Sequence, residues 1–334
     1  MNWKFWKKKE PVAAAAPVEP EKKEERGVPL DEFFKDREGH FTGAGHPSNY
    51  RGVHSIPAGW PYPNGYTVIP DDMYPVIRVD GHAFHTFTRK LHKPFDQNMQ
   101  KAMCMATKKL VEFFSAAYGY TQSDEITIVL PYKSQDYGRK THKLASLAAA
   151  VATAEFIKWL EFYSEKKLEK LPVFDGRAFA IENTELLGYY QIWRQHDAMR
   201  NAISAVARSL FSHKQLEGKN SDDKVAMMKE KGVDFWEKYS TDEIFGFYFK
   251  RKVFQRKFTP EEIEKLPERH EARKNPDLMV TRAEILKIDF HADSRKDLGE
   301  QMLALITKEE LCGLAHAPEG NETPNEATNT GDEI

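Results

Sequence analysis

The sequence predicts an α+β fold: a ferredoxin-like antiparallel sheet in βαββαβ order with its helices on one face, followed by helical and extended C-terminal elements. Three observations predict it. Strand-like and helical hydrophobic periods alternate from Tyr74 onward. A polar turn introduces the third strand pattern, as in a hairpin. No apolar run approaches the roughly 18–20 residues of a membrane span, so the apolar segments must be buried against one another.

The elements follow in order. Val76-Ile-Arg-Val-Asp80 is a short strand ending in an acid and Gly81. Met99, Met103, Ala106, Leu110 and Phe114 recur at helical spacing and predict a helix over about 97–116. Ile126-Thr-Ile-Val-Leu130 is rich in β-branched residues and follows the polar Gly119-Tyr-Thr-Gln-Ser123. Leu144, Leu147, Val151 and Ala154 predict a second helix over about 139–165. Val173 to Ile181 reads as a strand interrupted by Asp175-Gly176, and 184–212 as a helix. Together these give the ferredoxin-like order. Residues 1–27, rich in Ala, Pro, Glu and Lys, read as a disordered leader, and 28–73 as an irregular arm. Residues 74–290 form the body and 291–314 a helical extension. The acidic, polar stretch 315–334 reads as a disordered tail.

The 334 residues carry 40% hydrophobic and 12% aromatic side chains, enough for a sizeable core. Formal charge is −2, yet residues 41–314 hold 40 basic and 37 acidic residues, a balance that neither requires nor excludes a nucleic acid. Cys104 and Cys312 show no metal-ligand spacing and fit a reducing, cytoplasmic setting. The start, Met1-Asn-Trp-Lys-Phe-Trp-Lys-Lys-Lys9, lacks the apolar core of a signal peptide, and no membrane association is expected.

Asp80 closes the first strand, while Asp124 and Glu125 open the third. In this fold order the first strand lies beside the hairpin, so Asp80 and Asp124 converge at one sheet end although 44 residues separate them. Two carboxylates with the Gly81 carbonyl suit Mg²⁺, a hard cation that takes oxygen ligands. Two such ions clamp the attacking and leaving oxygens in phosphoryl transfer. The same residues are also ordinary turn formers.

The wording of these segments adds a resemblance. Ile77-Arg-Val-Asp-Gly-His-Ala-Phe-His85 with Lys93-Pro-Phe-Asp96, then Tyr118-Gly-Tyr-Thr-Gln-Ser-Asp-Glu125, Phe174-Asp-Gly-Arg177, Trp193-Arg-Gln-His-Asp197 and His213-Lys-Gln-Leu-Glu-Gly-Lys-Asn220 stand in one order over about 74–255. That series resembles the tRNA-His guanylyltransferase family. Leu266-Pro-Glu-Arg-His-Glu-Ala-Arg-Lys274 and Thr281-Arg282 resemble the C-terminal part of its bacterial and archaeal branch. The resemblance implies a polymerase-type palm and a nucleotidyltransferase that extends tRNA in the 3′-to-5′ direction. ATP adenylylates a 5′-monophosphate end, and the 3′-hydroxyl of GTP or another NTP then displaces AMP. It also implies a homotetramer, a dimer of dimers in which neighbouring subunits contribute to one nucleotide site.

Carried over residue by residue, the resemblance assigns catalysis to Asp80, Asp124 and Glu125. Asp80, Gly81 and Asp124 would hold two Mg²⁺ ions. Nucleotide contacts fall on His82, Ala83, Phe84, His85, Lys93, Ser123, Lys140, Lys143, Lys219 and Asn220. Contacts to tRNA fall on Arg139, Lys143, Asn201, Lys214, Lys250, Arg251 and Arg273. Lysine supplies a point charge for phosphate and arginine a bidentate fork. Arg139, Lys140, His142 and Lys143 open the second helix, where cations oppose the helix dipole and an anionic partner would relieve them. Ser221 is expected to cap the helix that follows Asn220. Trp193 reads as core rather than a stacking platform. Lys250, Arg251, Lys252, Arg256 and Lys257 interleave with Tyr248, Phe249 and Phe254, a pattern shared by RNA-binding strands and by strands with one solvated basic face.

One departure bears on the substrate. Members dedicated to tRNA-His carry a His-Ile-Asn-Asn run where this chain has Met199-Arg-Asn-Ala202. Methionine cannot donate the hydrogen bonds of imidazole. The departure favours the template-directed branch that repairs truncated 5′ ends. A palm-fold nucleotidyl cyclase and a catalytically silent RNA-binding protein remain as alternatives.

Overall fold

In β1 (Tyr74–Gly81), Ile77 and Val79 face one side, and Val76 faces the other with Arg78. The computed structural model of the chain describes residues 30, 31, 34, 68–165, 167–168, 170–275, 277–307 and the backbone of 310–311. The expected leader, the acidic tail, most of the arm and Cys312 lie outside the described residues. β1 pairs antiparallel with β3 (Glu125–Val129) on one side and with β4 (Phe174–Ile181) on the other. β2 (Tyr118–Gln122) pairs with β3 and with β5 (Phe247–Lys257), which pairs in turn with β6 (Met279–Ile288). The order is β4-β1-β3-β2-β5-β6, and β7 (Glu310–Leu311) adds parallel to β5.

Helices α1 (Gln97–Phe113) and α2 (Thr141–Ser164) cover one face, as the βαββαβ pattern predicts. Met99, Met103, Ala106 and Leu110 of α1 and Leu144, Ala148, Ala152 and Phe156 of α2 pack on Ile77, Val79, Ile126 and Ile128. Each large apolar side chain fully buried there contributes about 1.5–3 kcal/mol. Asp96 caps α1 by accepting from the Met99 N–H at 2.9 Å. β4 is continuous, contrary to the expected interruption at Asp175-Gly176. Gly176 pairs with Val79, and a Cβ there would lie 2.5 Å from the Ala145 carbonyl oxygen. The glycine lets α2 approach the strand.

The opposite face, which the sequence left unassigned, is also covered. Helix α3 (Thr184–Leu210) lays Leu186, Leu187, Tyr190 and Trp193 against Val76, Tyr118, Val129 and Phe179. Before the remaining elements of this face are reached, the chain forms α4 (Ser221–Glu230), which packs with the C-terminal half of α3 and two short helices, Phe235–Lys238 and Thr241–Phe245, around Ile203, Val206, Met228, Phe235 and Ile244. α5 (Leu298–Ile306) then returns to the sheet and adds Met302 and Leu305. Trp193 is core, as predicted: 4% exposed, stacked on Phe34 at 5.4 Å, with Nε1 donating to Asp31 at 3.2 Å. Leu30 and Phe34 are helical and buried here, so at these positions the arm packs on the body.

Strand directions decide which residues share a sheet end. β1 and β2 run toward Asp80 and Ser123, while β3 and β4 run away from them. α2 therefore starts toward the other end and, by Ala145 in its first turn, already passes Gly176, the partner of Val79.

Candidate active site

The β2–β3 hairpin brings its acids to the end of β1. Glu125 stands opposite Asp80 in the register, and the Gly81 N–H donates to the Asp124 carbonyl at 3.0 Å. Ser123 turns the hairpin in a left-handed conformation (φ 50°), and its hydroxyl donates to Asp124 Oδ1 at 3.0 Å. Asp80 and Asp124 thus share one corner. Burial, with the negative charge of Asp80 beside it, pushes the Asp124 carboxyl up to about 6 against the lowering effect of Ser123. Such a pair favours a cation between its members. Arg78 NH2 donates to Asp80 Oδ2 at 2.8 Å. Among the described residues no group of three or more His, Cys, Asp or Glu is arranged to hold a metal ion by itself. Two carboxylates with room for water and phosphate oxygens fit Mg²⁺ better than a closed protein cage. Gly81 has a steric reason of its own: a Cβ there would sit 2.4 Å from the Phe84 ring.

Glu125 must be reassigned. It is 5% exposed; Arg194 NH1 reaches its Oε2 at 2.6 Å and Arg78 Nε reaches it at 3.2 Å. Strand alternation turns it from the hairpin tip toward α3, so it serves as a buried counter-ion rather than a metal ligand. Arg194 continues to Asp197 at 3.8 Å, and Asp197 accepts from Asn201 at 3.3 Å. Phe84 is corrected as well. Its ring is 3% exposed and packs on Phe156 and Phe174, so any nucleotide contact there must come from its backbone.

A cavity of about 630 Å³ opens at Asp124. The segment 84–96 forms one wall, with His85, Arg89, His92 and Lys93. Met99, Gln100 and Met103 of α1, the end of β2 with Thr121, Gln122 and Ser123, and Asp242, Glu243 and Phe247 complete another side. The far wall is α3, through Ala198, Asn201, Ala202, Ala205, Arg208 and Ser209. Five predicted residues, Phe84, His85, Lys93, Ser123 and Asn201, thus line one space beside Asp124. Lys93 Nζ donates to the Thr88 carbonyl at 2.9 Å. His82 and Ala83 are exposed at the end of β1, outside the lining; Ala83 adopts φ 53°. Sequence reasoning missed Arg89, His92 and Arg208. The seven-residue spacing of Asn201 and Arg208, two turns of one helix, was the available signal for Arg208.

Several basic residues do not join this site. Arg139 is 2% exposed and donates to the carbonyls of Ile69, Pro70, Met73, Tyr132 and Ser134, so it ties the segment before β1 to the loop before α2 and is unavailable to tRNA. α2 begins at Thr141 rather than at Arg139. Lys140 and Lys143 are exposed at the start of α2, and Lys143 Nζ lies 5.8 Å from the Tyr137 ring centre. Neither lines the cavity at Asp124. Lys250 is 5% exposed and donates to the Ala304 carbonyl of α5 at 3.1 Å, so it is not an RNA contact.

Arg256 is clamped bidentately by Glu262, whose carboxyl its guanidinium holds at about 2, and Lys257 pairs with Asp277 at 2.6 Å. Arg273 spends its guanidinium on the Leu266 and Glu264 carbonyls. Arg251 is half-buried on the same ribbon. Asn220, not Ser221, caps α4, accepting from Asp223 N–H at 2.9 Å in a capping box. Asn220, Lys219 and Lys214 are exposed and outside the cavity lining.

The family model described as Thg1, tRNAHis guanylyltransferase, matches residues 64–182. The tRNA(His) guanylyltransferase 2 of Arabidopsis thaliana is 37% identical over 130 residues, 38% of this chain and 24% of that protein. The chain thus matches about a quarter of the length of that relative. The tRNA(His) guanylyltransferase of Debaryomyces hansenii is 30% identical over 181 residues, 49% of this chain and 68% of its own. Among solved structures, a bacterial tRNA(His) guanylyltransferase (Thg1)-like protein in complex with ATP is 35% identical, covers 55% of this chain and 82% of that one, and superposes with a TM-score of 0.51.

Proposed function

Because this chain belongs to the tRNA(His) guanylyltransferase (Thg1) family, we propose that it is a nucleotidyltransferase adding nucleotides to the 5′ end of tRNA. The observation that carries the reading is the shared corner of Asp80 and Asp124 at the mouth of a cavity lined by His85, Lys93 and Ser123. Asp80 and Asp124, with the Gly81 carbonyl, would hold Mg²⁺. The ions would supply charge neutralisation for phosphoryl transfer. ATP adenylylates the 5′-monophosphate with loss of pyrophosphate. The 3′-hydroxyl of the incoming NTP then forms the new phosphodiester and releases AMP.

His85 and Lys93 stand where a triphosphate needs cationic or donating groups, and Ser123 holds one Asp124 oxygen in place. Arg78 and Arg194 neutralise Glu125 and keep the floor of the site rigid. Met199 packs into the apolar cluster of Val206 and Phe235, so that side chain offers no donor to a fixed guanine. This favours addition directed by the opposing tRNA strand. The exposed Lys140 and Lys143, outside the cavity lining of their own chain, fit a homotetramer in which a neighbouring copy presents them. Among the described residues no helix is long and apolar enough to cross a membrane. We place the reaction in the cytoplasm, where the Cys104 thiol stays reduced.

The test is incubation of the protein with Mg²⁺, ATP, labelled GTP and a tRNA lacking its first 5′ nucleotide. Incorporation opposite a C in the 3′ strand, and not opposite other bases, is expected. Cyclic nucleotide formed without RNA, or tight RNA binding without incorporation, would refute the reading.

A further inference from the structure

Arg89 and Arg208 face the same cavity from opposite walls, the first on the short turn Thr88–Lys90 and the second near the C-terminus of α3. Both are exposed, and among the described residues neither has a hydrogen-bond or ion-pair partner. The other charged groups of the cavity differ. Lys93 is held by the Thr88 carbonyl, Asp96 caps α1, Asp242 pairs with Lys287, and Glu243 closes a capping box with Ser240. The cavity therefore ends in two uncommitted guanidinium forks, a feature that solvation alone permits but that an anion would exploit.

Its position says which anion. Arg208 lies ten residues beyond Ala198 on the same wall, about 15 Å at 1.5 Å per helical residue. Arg208 also stands fourteen residues, about 21 Å, beyond Arg194, which pairs with Glu125 next to Asp124, so a phosphate it holds lies elsewhere on an extended ligand. A volume of about 630 Å³ lies within the usual range for a bound small molecule.

We propose that Arg89 and Arg208 form a phosphate subsite, set apart from the reacting centre, that clamps a non-reacting phosphate of the substrate. Two sources share this chemistry: the triphosphate of a bound nucleotide, and the sugar–phosphate chain of an RNA entering by its 5′ end. The substrates named rest on the nucleotidyl-transfer reading; the anion affinity does not.

Calorimetric titration of the full chain with Mg²⁺-ATP, and separately with a 5′-phosphorylated hairpin RNA, tests it. The variants are R89Q, R208Q and R208K, with K229Q as a control carrying the same charge change outside the cavity. R89Q and R208Q should each weaken one probe by about tenfold or more, the magnitude of one lost guanidinium–phosphate contact. R208K should recover only part of the affinity because it restores charge without the fork. K229Q should stay within twofold, and all variants should melt like the wild type. Loss confined to ATP assigns the subsite to the nucleotide, and loss confined to the hairpin assigns it to RNA. R89Q and R208Q within twofold of wild type for both probes would overturn the proposal, as would a wild type that binds neither. If the wild type adds no nucleotide yet the binding losses appear, the reaction reading fails and the subsite stands.

Discussion

Replacing Asp124 by asparagine is expected to stabilise the metal-free protein at neutral pH while removing nucleotide transfer. The carboxyl is displaced from 3.8 to about 6 by burial and by Asp80. A carboxyl raised in the folded state binds its proton more tightly there than in the unfolded chain. Folding stability is therefore lost as pH rises from about 4 to about 6, and the penalty is constant above that window. At 1.36 kcal/mol per pH unit it amounts to about 3 kcal/mol, or about 2 once partial solvation of the site is allowed for. The substituted amide carries no charge, and its oxygen can still accept from Ser123.

Thermal denaturation in EDTA should then show D124N melting about 4–8 °C above wild type at pH 7.5. The gap should vanish near pH 4, where both side chains are neutral. Mg²⁺ should raise the melting temperature of the wild type and not of the variant. Proton competition predicts that Mg²⁺ affinity falls as pH drops below about 6. A variant no more stable than wild type in EDTA at pH 7.5, or a gap that persists at pH 4, would refute the account of Asp124 as a buried acid beside Asp80.

Other substitutions separate structure from function. Arg139→Met leaves five carbonyls short of a shared donor and should cost about 3–5 kcal/mol in urea unfolding, with RNA affinity unchanged in the folded fraction. Gly81→Ala forces a methyl against the Phe84 ring; a loss of about 1–3 kcal/mol and reduced turnover should appear together, in melting and in incorporation assays. Lys250→Met removes the donor to Ala304 and should cost about 1–2 kcal/mol while leaving hairpin-RNA affinity within twofold. Phe34→Ala should cost about 3–5 kcal/mol and shift Trp193 fluorescence to the red as water reaches the stacked indole. An unshifted spectrum would mean that the residue 30–34 segment does not pack on α3 in solution.

The elements and the acid pair were legible in the chain before any packing was known. Hydrophobic periods in 97–113 and 141–164, alternation in 76–80 and 125–129, and the order of those segments sufficed for the βαββαβ sheet and for placing Asp80 beside Asp124, because register follows from a short hairpin and side-chain alternation. Local pattern carries no information about which end of a sheet a helix starts from, or about which cation a distant carbonyl will take. Lys140 and Lys143 therefore read as site residues, whereas in the fold they lie outside the lining of the cavity at Asp124. Arg139, Lys250 and Arg273 read as RNA contacts until their donors met backbone carbonyls, some from segments as distant in sequence as Ile69 and Ala304. Glu125 changed role for the same reason: its carboxylate points to Arg194, 69 residues away, a partner that only the packing of α3 on the sheet supplies. Burial decides which charges must be paired, and burial is a property of the tertiary structure.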